Sequence, residues 1–244
     1  MQVDLLHILS LIDLTSLNDT DDAVTIAALC KKAVQPNGHV AAVCIYPRFV
    51  KQAVTLLANT PVKVATVANF PRGSDAQNQV LDAIHQSIEE GAEEMDVVFP
   101  YLSYLSGDKE RPYDFIRACK AVCGESRLLK VILETGMLRD LSVIAEVSYH
   151  LCHAGADFLK TSTGKTAIGA TVDAVQVMLT TIQKVSRPIG LKVSGGVRTI
   201  GQAKQYRELA SQIMGEGWVT PAHFRIGASQ LLDQLILSGS QYDK

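Results

Sequence analysis

The sequence contains no long hydrophobic run and no block of charge of one sign. A helix that spans a bilayer needs about 20 predominantly apolar residues, and no stretch of this 244-residue chain approaches that length. Lysine and arginine never occur in runs longer than two, and the formal net charge is −2. We therefore expect no binding to nucleic acid and none to membranes.

Cysteine is too sparse and too irregularly spaced for a disulfide framework. The odd set consists of Cys30, Cys44, Cys119, Cys123 and Cys152. The first fifteen residues lack the basic segment of a signal peptide and are interrupted by acidic side chains. These features favour a reduced, cytoplasmic, soluble protein.

Linkers rich in proline, glycine or serine are also missing, as are low-complexity segments. Apolar residues make up 47% of the chain and charged residues 20%, which is sufficient for a sizeable core and argues against disorder. We therefore expect a single domain over residues 1–244, with a short C-terminal tail at about 238–244.

Short runs rich in valine and isoleucine alternate with segments of helical period, which is typical of βαβ units in a parallel sheet. Seven runs predict strands, at residues 39–47, 62–71, 94–100, 128–136, 157–163, 189–195 and 223–229. An eighth strand is expected near residues 208–215, although that segment resembles a helix. Together with a helix-like opening, the pattern predicts an α/β fold, a TIM (β/α)8 barrel with an extra N-terminal helix. An open doubly wound sheet is the alternative, but its glycine fingerprint is missing after the first predicted strand.

Three lysines lie within predicted strands. Strand alternation places Lys160 and Lys192 on matching faces of neighbouring strands, and Lys130 lies in the strand before them. Burial in a barrel and mutual repulsion both disfavour the charged ammonium, so this pattern predicts neutral, nucleophilic amines. The alternative is that each lysine extends its ammonium from the strand end into solvent.

Asp96 is a carboxylate within the apolar segment "EEMDVVFPY". A buried carboxylate needs a compensating partner. Asp96 is therefore either a structural ion-pair partner of the lysines or a proton-transfer group that also orients them. The two interpretations share one geometry, and the sequence leaves both open.

Eight segments together resemble the deoxyribose-phosphate aldolase family, in that family's order and spacing. They are "LIDLTSLN", "AVCIYPRF", "VATVANFPRGS", "EEMDVVFPY", "LLKVILETG", "GADFLKTSTGK", "GLKVSGGVRT" and "FRIGAS", and they cover the chain from about residue 10 to residue 235. The resemblance implies a class I aldolase without metal or other cofactor. Such an enzyme reversibly cleaves 2-deoxy-D-ribose 5-phosphate into acetaldehyde and D-glyceraldehyde 3-phosphate. The family also suggests a homodimer, although no feature of the sequence specifies an interface.

The resemblance also implies roles for individual residues. Lys160 is the Schiff-base nucleophile, Lys192 is the neighbour that perturbs it, and Asp96 joins in proton relay. Glycine-rich strand ends offer backbone N–H groups to phosphate, and Lys165 resembles the family's phosphate-side lysine. The strand ends and the resemblance together give the expected substrate and phosphate contacts, which are Gly164, Lys165, Gly195, Gly196, Gly227 and Ser229. The alternative is that the glycine-rich strand ends are plain turns.

Further candidates come from the two ends of the chain. Asp13, Thr15 and Asn18 resemble the family's polar cluster near the sugar, although a helix N-cap would explain them as well. Cys44 is expected to line the barrel. Tyr242 is a candidate for the C-terminal tyrosine that assists protonation in some family members.

Two positions depart from the pattern of the bacterial family members. Val193 replaces a proline, and Gln230 replaces a serine that would contact the phosphate. Two alternatives therefore accompany the aldolase hypothesis: another class I sugar-phosphate aldolase, and a barrel that binds a phosphosugar without catalysis. The joint presence of Lys160, Lys192 and Asp96 favours catalysis, because binding alone does not require a buried amine.

Overall fold

The computed structural model describes residues 2–239. Its strands, in chain order, are β1 (Ile12–Thr15), β2 (Val34–Gln35), β3 (Gly38–His39), β4 (Ala42–Ile45), β5 (Lys63–Ala68), β6 (Glu94–Val98), β7 (Leu128–Ile132), β8 (Phe158–Lys160), β9 (Gly190–Ser194) and β10 (Phe224–Ala228). Eight of these strands form a closed parallel barrel in the order β1-β10-β9-β8-β7-β6-β5-β4, and β2 pairs with β3 in a separate hairpin. The predicted TIM barrel is confirmed.

Helices surround the barrel on its outer side. They are α1 (Gln2–Ser10), α2 (Ala23–Ala33), α3 (Val50–Leu57), α4 (Gln77–Glu89), α5 (Tyr101–Leu105), α6 (Arg111–Cys123), α7 (Thr135–Leu138), α8 (Leu141–His153), α9 (Val172–Gln183), α10 (Ile200–Met214) and α11 (Leu231–Gly239). The predicted extra N-terminal helix is confirmed as α1. The first two residues of the predicted tail belong to α11. Across residues 2–239, no helix is long and apolar enough to cross a membrane.

The prediction of the eighth strand is wrong. Residues 208–215 fall almost entirely in α10, which buries Ala203, Tyr206 and Ala210 at helical spacing. The missing strand is β1, which closes the barrel by pairing with β10 on one side and β4 on the other. β1 has only four residues, and two of them are polar, so it lacks the continuous apolar run of a buried parallel strand.

Side-chain caps fix where several helices begin. Asp22, Asp140, Thr171 and Thr199 each accept a hydrogen bond from a backbone N–H in the first turn of the following helix. These bonds satisfy backbone donors that a helix leaves free at its N-terminus. At α10 the cap is reciprocal, because the Gln202 side chain returns to the backbone of Thr199. The caps therefore fix the chain where it leaves the barrel mouth.

The barrel interior has two unlike sides. Next to β4 and β5, a small apolar cluster contains Ala42, Cys44, Ala65 and Val67. Charged side chains from β1 and from β6 to β10 contact one another on the other side. This asymmetry confines the polar chemistry to one part of the interior.

Candidate active site

Asp96 lies at the centre of the barrel and contacts all three strand lysines. Its Oδ2 is 2.7 Å from Lys160 Nζ and 2.8 Å from Lys192 Nζ, and its Oδ1 is 2.8 Å from Lys130 Nζ. All four side chains are buried. Strand alternation therefore predicted the inward direction of these lysines correctly, and the alternative that they extend into solvent is wrong.

A second group of charges lies next to these residues. Arg225 of β10 contacts Asp13 of β1, with Nη1 to Oδ1 at 2.7 Å, and Glu94 of β6, with Nη2 to Oε1 at 3.0 Å. Asp13 Oδ2 is 2.6 Å from Lys192 Nζ, and Glu94 Oε2 is 2.6 Å from Lys130 Nζ. Both groups together form the interior charge cluster, which consists of Asp13, Glu94, Asp96, Lys130, Lys160, Lys192 and Arg225.

The lysines of this cluster differ in ionisation. Burial lowers the pKa of the Lys160 amine, and the adjacent charge of Lys192 adds to the effect. Burial is outweighed at Lys192, where Asp13 and Asp96 hold the pKa well above its ordinary value. It is also outweighed at Lys130, where Asp96 and Glu94 raise the pKa. The expectation of neutral amines is therefore wrong for Lys192 and Lys130.

Neighbouring cations keep two carboxylates of the cluster, Asp13 and Asp96, ionised. Burial favours the protonated form of both side chains. The surrounding lysines and Arg225 nevertheless hold the pKa of Asp13 below its ordinary value. The three lysines likewise hold the pKa of Asp96 below its ordinary value. The cluster thus contains four cationic groups and three carboxylates. One of the four can lose its charge without leaving a carboxylate unpaired. Lys160 is the candidate, because it shares a single carboxylate, Asp96, which does not outweigh the effect of burial on its pKa.

A cavity of about 390 Å³ opens above Lys160, at the carboxyl ends of the strands. This is the end at which TIM barrels carry their active sites. The site residues predicted from the sequence that line it are Thr15, Asn18, Lys160, Gly164, Lys165, Gly195, Gly196, Gly227 and Ser229. Asp96, Lys192, Asp13 and Cys44 are fully buried side chains of the barrel interior.

The loop after β9 depends on two glycines. Gly195 and Gly196 have φ angles of 87° and 89°, which side chains with a Cβ rarely adopt. A Cβ at Gly195 would also lie 3.0 Å from the Gly169 Cα. The loop therefore presents bare backbone to the cavity, as an anion site requires.

Gly227 is required for another reason, which is the space next to Lys192. A Cβ at this position would lie 3.1 Å from Lys192 Cε and 2.9 Å from Ser194 Cβ. Gly227 therefore leaves room for the buried lysine while its own backbone borders the cavity. Ser229 and Gln230 follow at the exposed rim.

Lys165 connects two loops at the cavity. Its Nζ is 2.6 Å from the carbonyl oxygen of Leu17, which follows β1. The loop of Lys165 is held from below by Glu134, a fully buried carboxylate that accepts hydrogen bonds from Thr163 and from Thr166 Oγ1, the latter at 3.1 Å. Lys165 is itself exposed, so its ammonium can reach a charged ligand.

The N-terminal polar residues have separate positions. Asp13 and Thr15 lie within β1, and the cap of α2 is Asp22, so the alternative of a helix N-cap is wrong for both. Asn18 lies at the cavity rim, where its side chain donates to Asp21 Oδ1 at 3.1 Å. Asp13 belongs to the interior charge cluster and Thr15 to the cavity wall.

Cys44 lines the barrel interior as expected. Its Sγ is 3.7 Å from Asp96 Oδ2, and burial raises the pKa of its thiol. Tyr242 lies outside the described residues, so its role stays a prediction. Among the described side chains, no group of three or more His, Cys, Asp or Glu residues is arranged to hold a metal ion.

Several residues at the site received no role from the sequence. Glu94 precedes Asp96 by two positions, which is the spacing of one strand face, and Arg225 is a charge within the apolar segment "HFRIGAS". Both signals were present in the sequence. Arg198 lines the cavity from the loop between β9 and α10, and the motif "GGVRT" contains it.

Comparisons with known proteins agree with this geometry. A family model described as DeoC/LacD family aldolase matches residues 7–233. A solved structure of a candidate deoxyribose-phosphate aldolase from Coccidioides immitis is 29% identical, with 96% of this chain and 87% of that chain covered and a TM-score of 0.84.

Two further solved structures are similar in fold. One is a candidate deoxyribose-phosphate aldolase from Toxoplasma gondii ME49, at 24% identity, 100% and 98% coverage and a TM-score of 0.89. The other is a deoxyribose phosphate aldolase from Aeropyrum pernix, described as a unique tetramer, at 24% identity, 99% and 97% coverage and a TM-score of 0.77. The match of the family model extends over most of the sequence. The chain therefore belongs to the DeoC/LacD family of aldolases.

Proposed function

We propose that this aldolase cleaves 2-deoxy-D-ribose 5-phosphate reversibly into acetaldehyde and D-glyceraldehyde 3-phosphate, with Lys160 as the Schiff-base nucleophile. The observation that carries the proposal is the combination of features at Lys160. It is the one lysine of the interior charge cluster that lines the cavity, and its pKa is the one that is lowered. A neutral amine is the form that attacks a carbonyl.

The chemistry follows from this amine. Lys160 Nζ attacks the aldehyde carbon C1 of the open-chain sugar to give a carbinolamine, which loses water to form an imine. The imine accepts the electron pair of the C2–C3 bond as that bond breaks, while the C3 hydroxyl loses its proton and becomes the aldehyde of glyceraldehyde 3-phosphate. The remaining enamine takes a proton at C2, and hydrolysis releases acetaldehyde and the free lysine.

Asp96 and Lys192 are the groups that we assign to proton transfer. Both lie within hydrogen-bonding distance of one another, and Asp96 Oδ2 also contacts Lys160 Nζ. A charged Lys192 can donate a proton and an ionised Asp96 can accept one, and a water molecule between them and the substrate would complete the relay. Tyr242 remains a further candidate for the protonation at C2.

The phosphate end of the substrate is assigned to the outer part of the cavity. Gly195 and Gly196 offer backbone N–H groups there, and Lys165, Arg198 and Ser229 offer a positive charge or a hydroxyl. Phosphate sites in TIM barrels often occupy this region, after the last two strands. The similar structure from Aeropyrum pernix is a deoxyribose phosphate aldolase, which supports this substrate.

Three further assignments accompany the proposal. Residues 1–244 would act as a single barrel domain. The five cysteines are buried and unpaired, which is typical of a reducing compartment and supports a cytoplasmic location. A homodimer stays a prediction, and the relative from Aeropyrum pernix is described as a tetramer.

Reductive trapping tests the proposed function. The protein is incubated with 2-deoxy-D-ribose 5-phosphate and borohydride, and the adduct is mapped by mass spectrometry. We expect a stable adduct on Lys160 and none in Lys160→Ala. An adduct on Lys192 would reverse the two lysine roles, and full activity of Lys160→Ala would refute the proposal. The same assay with other sugar phosphates distinguishes the proposed enzyme from a class I aldolase that acts on a different sugar phosphate. Binding of the substrate without any adduct would indicate a non-catalytic barrel.

A further inference from the structure

Arg225 spans the barrel beneath the candidate nucleophile. In the closed order of strands, β10 and β6 are separated by three strands on each side, so they face one another across the interior. Arg225 bridges them through its contact with Glu94, Nη2 to Oε1 at 3.0 Å, and also contacts Asp13 of the adjacent β1. Arg225 and Glu94 are almost completely buried.

These contacts close a ring of alternating charges. Every member contacts the next at 2.6 to 3.0 Å, so each cation lies between two carboxylates and each carboxylate between two cations. In order around this charge ring, the members are Arg225, Asp13, Lys192, Asp96, Lys130 and Glu94. With all six groups ionised, the charge ring is neutral. Lys160 is attached to it only at Asp96.

Several groups surround the Lys160 amine. Asp96 of β6, Lys192 of β9 and Cys44 of β4 act on it directly. The other charged groups of the interior belong to the charge ring and reach Lys160 through it: Asp13 of β1, Glu94 of β6, Lys130 of β7 and Arg225 of β10. The Cys44 thiol is neutral because burial raises its pKa. The electrostatic potential at Lys160 therefore depends on the net charge of the ring.

We propose that Arg225 and Glu94 are positioning residues that set the charge state of Lys160 through the charge ring. Neither residue lines the cavity. Their opposite charges balance the ring, so that Lys192 stays charged beside Lys160. Every carboxylate of the ring then has its cationic partners, and none of them requires Lys160 to be protonated. The function of Arg225 is thus electrostatic, although it contacts neither the nucleophile nor the cavity.

The charge ring predicts opposite effects for its two remote members. Arg225→Met leaves the ring with one excess negative charge, which favours the protonated form of Lys160. Glu94→Gln leaves one excess positive charge, which favours the neutral amine. The double variant has equal numbers of cations and carboxylates again. A merely structural function of these residues would not give shifts of opposite sign that cancel.

Reductive methylation of Lys160 measures its protonation without the aldolase reaction. The full chain is treated with formaldehyde and cyanoborohydride between pH 5 and pH 10, and mass spectrometry follows Lys160 relative to the exposed Lys51, which corrects for the reagent. We expect the midpoint of the pH profile to rise by about one unit in Arg225→Met and to fall by about one unit in Glu94→Gln, as expected for one charge at this range. The double variant should lie within about 0.3 units of the wild type.

Further measurements keep the test decisive. Arg225→Lys retains the charge and should stay close to the wild-type profile. Circular dichroism verifies that each variant folds. If Arg225→Met does not fold, the two single variants Glu94→Gln and Arg225→Lys are sufficient to test the inference. Unchanged midpoints in folded variants, or shifts of the same sign, would overturn the inference. The inference concerns the nucleophile of the proposed function, but the two fail separately, because methylation of Lys160 requires no sugar substrate and the trapping assay requires no variant of the ring.

Discussion

Lys160 and Lys192 are the same residue type on adjacent strands, yet their surroundings favour opposite charge states. Among the described carboxylates, Lys192 Nζ contacts Asp13 at 2.6 Å and Asp96 at 2.8 Å, whereas Lys160 Nζ contacts Asp96 alone, at 2.7 Å. The second carboxylate outweighs the desolvation of Lys192, and a single shared one does not outweigh that of Lys160. One additional carboxylate therefore accounts for the opposite directions in which the pKa values of the two lysines are shifted.

This difference predicts opposite effects on stability when each lysine becomes methionine. Lys160→Met removes a buried amine that the charge ring does not need for its balance, and we expect the free energy of unfolding at pH 7 to rise by about 1 kcal/mol. Lys192→Met leaves Asp13 and Asp96 short of a buried partner and should lower that free energy by about 3 kcal/mol. Urea unfolding monitored by circular dichroism measures both.

The pH dependence of the same variants provides a second measurement. The folded-state pKa of Lys160 is lowered, so between that pKa and the ordinary value of 10.5 the unfolded chain binds the proton that the folded chain has lost. The stability of the wild type should therefore rise relative to Lys160→Met as the pH rises through this interval. A difference that grows in the opposite direction, or equal losses in both variants, would contradict the assignment.

The sequence predicted which residues meet at the site better than it predicted their charge. Alternation along a strand determines which side chains point inward, and Lys160, Lys192 and Asp96 follow it. The charge of Lys192, however, depends on Asp13, which lies on a strand far away in the chain, and no local pattern reports that contact.

At the scale of secondary structure, β1 shows why one strand escaped prediction. "IDLT" contains four residues with Asp13 among them, and a charged residue in so short a segment indicates a loop. The strand exists because Arg225, Lys192 and Lys130 compensate that charge inside the barrel. Tertiary contacts therefore override local propensity here.

The start of α10 predicts a measurable contribution to stability. The Thr199 side chain accepts a bond from Gln202 N at 3.2 Å, and Gln202 Oε1 in turn accepts from the N–H groups of Arg198 and Thr199. Thr199→Ala removes the cap and should lower the free energy of unfolding by about 1 kcal/mol, or roughly 2–4 °C in Tm.

A matched substitution on the neighbouring helix controls for the loss of a hydroxyl. Thr180 lies within α9, and its hydroxyl donates to the carbonyl of Gln176 in the same helix. Thr180→Ala should change the free energy of unfolding by less than about 0.5 kcal/mol. Equal losses in both variants, measured by calorimetry, would show that the cap makes no special contribution.

At the scale of the whole molecule, the charges fall into two zones. The charge ring is buried and neutral, whereas Lys165 and Arg198 are exposed at the cavity rim. Dissolved salt screens exposed charges over about 10 Å at 0.1 M and about 3 Å at 1 M, and it screens buried pairs much less. Added salt should therefore weaken the binding of the phosphate more than it changes the pKa of Lys160.

This separation predicts how the kinetics depend on ionic strength. Between 0.02 M and 0.5 M sodium chloride, we expect KM for 2-deoxy-D-ribose 5-phosphate to rise several-fold and kcat to change by less than about two-fold. The control substrate is 2-deoxy-D-ribose, which lacks the phosphate and should show no comparable rise in KM. Equal salt dependence for both substrates would place the phosphate away from Lys165 and Arg198.

The seam between β1 and β10 brings together Asp13 and Arg225, which are 212 positions apart in the chain. On the ribosome, β1 and β8 are synthesised before β10 exists, so the ring cannot close around a nascent chain. In an unfolded chain, Lys160 would have the pKa of a solvated lysine, so at neutral pH it would be almost entirely protonated and would react slowly with aldehydes. Under the proposed role of the charge ring, the chain therefore acquires its amine of lowered pKa only when the last strand of the barrel takes its place.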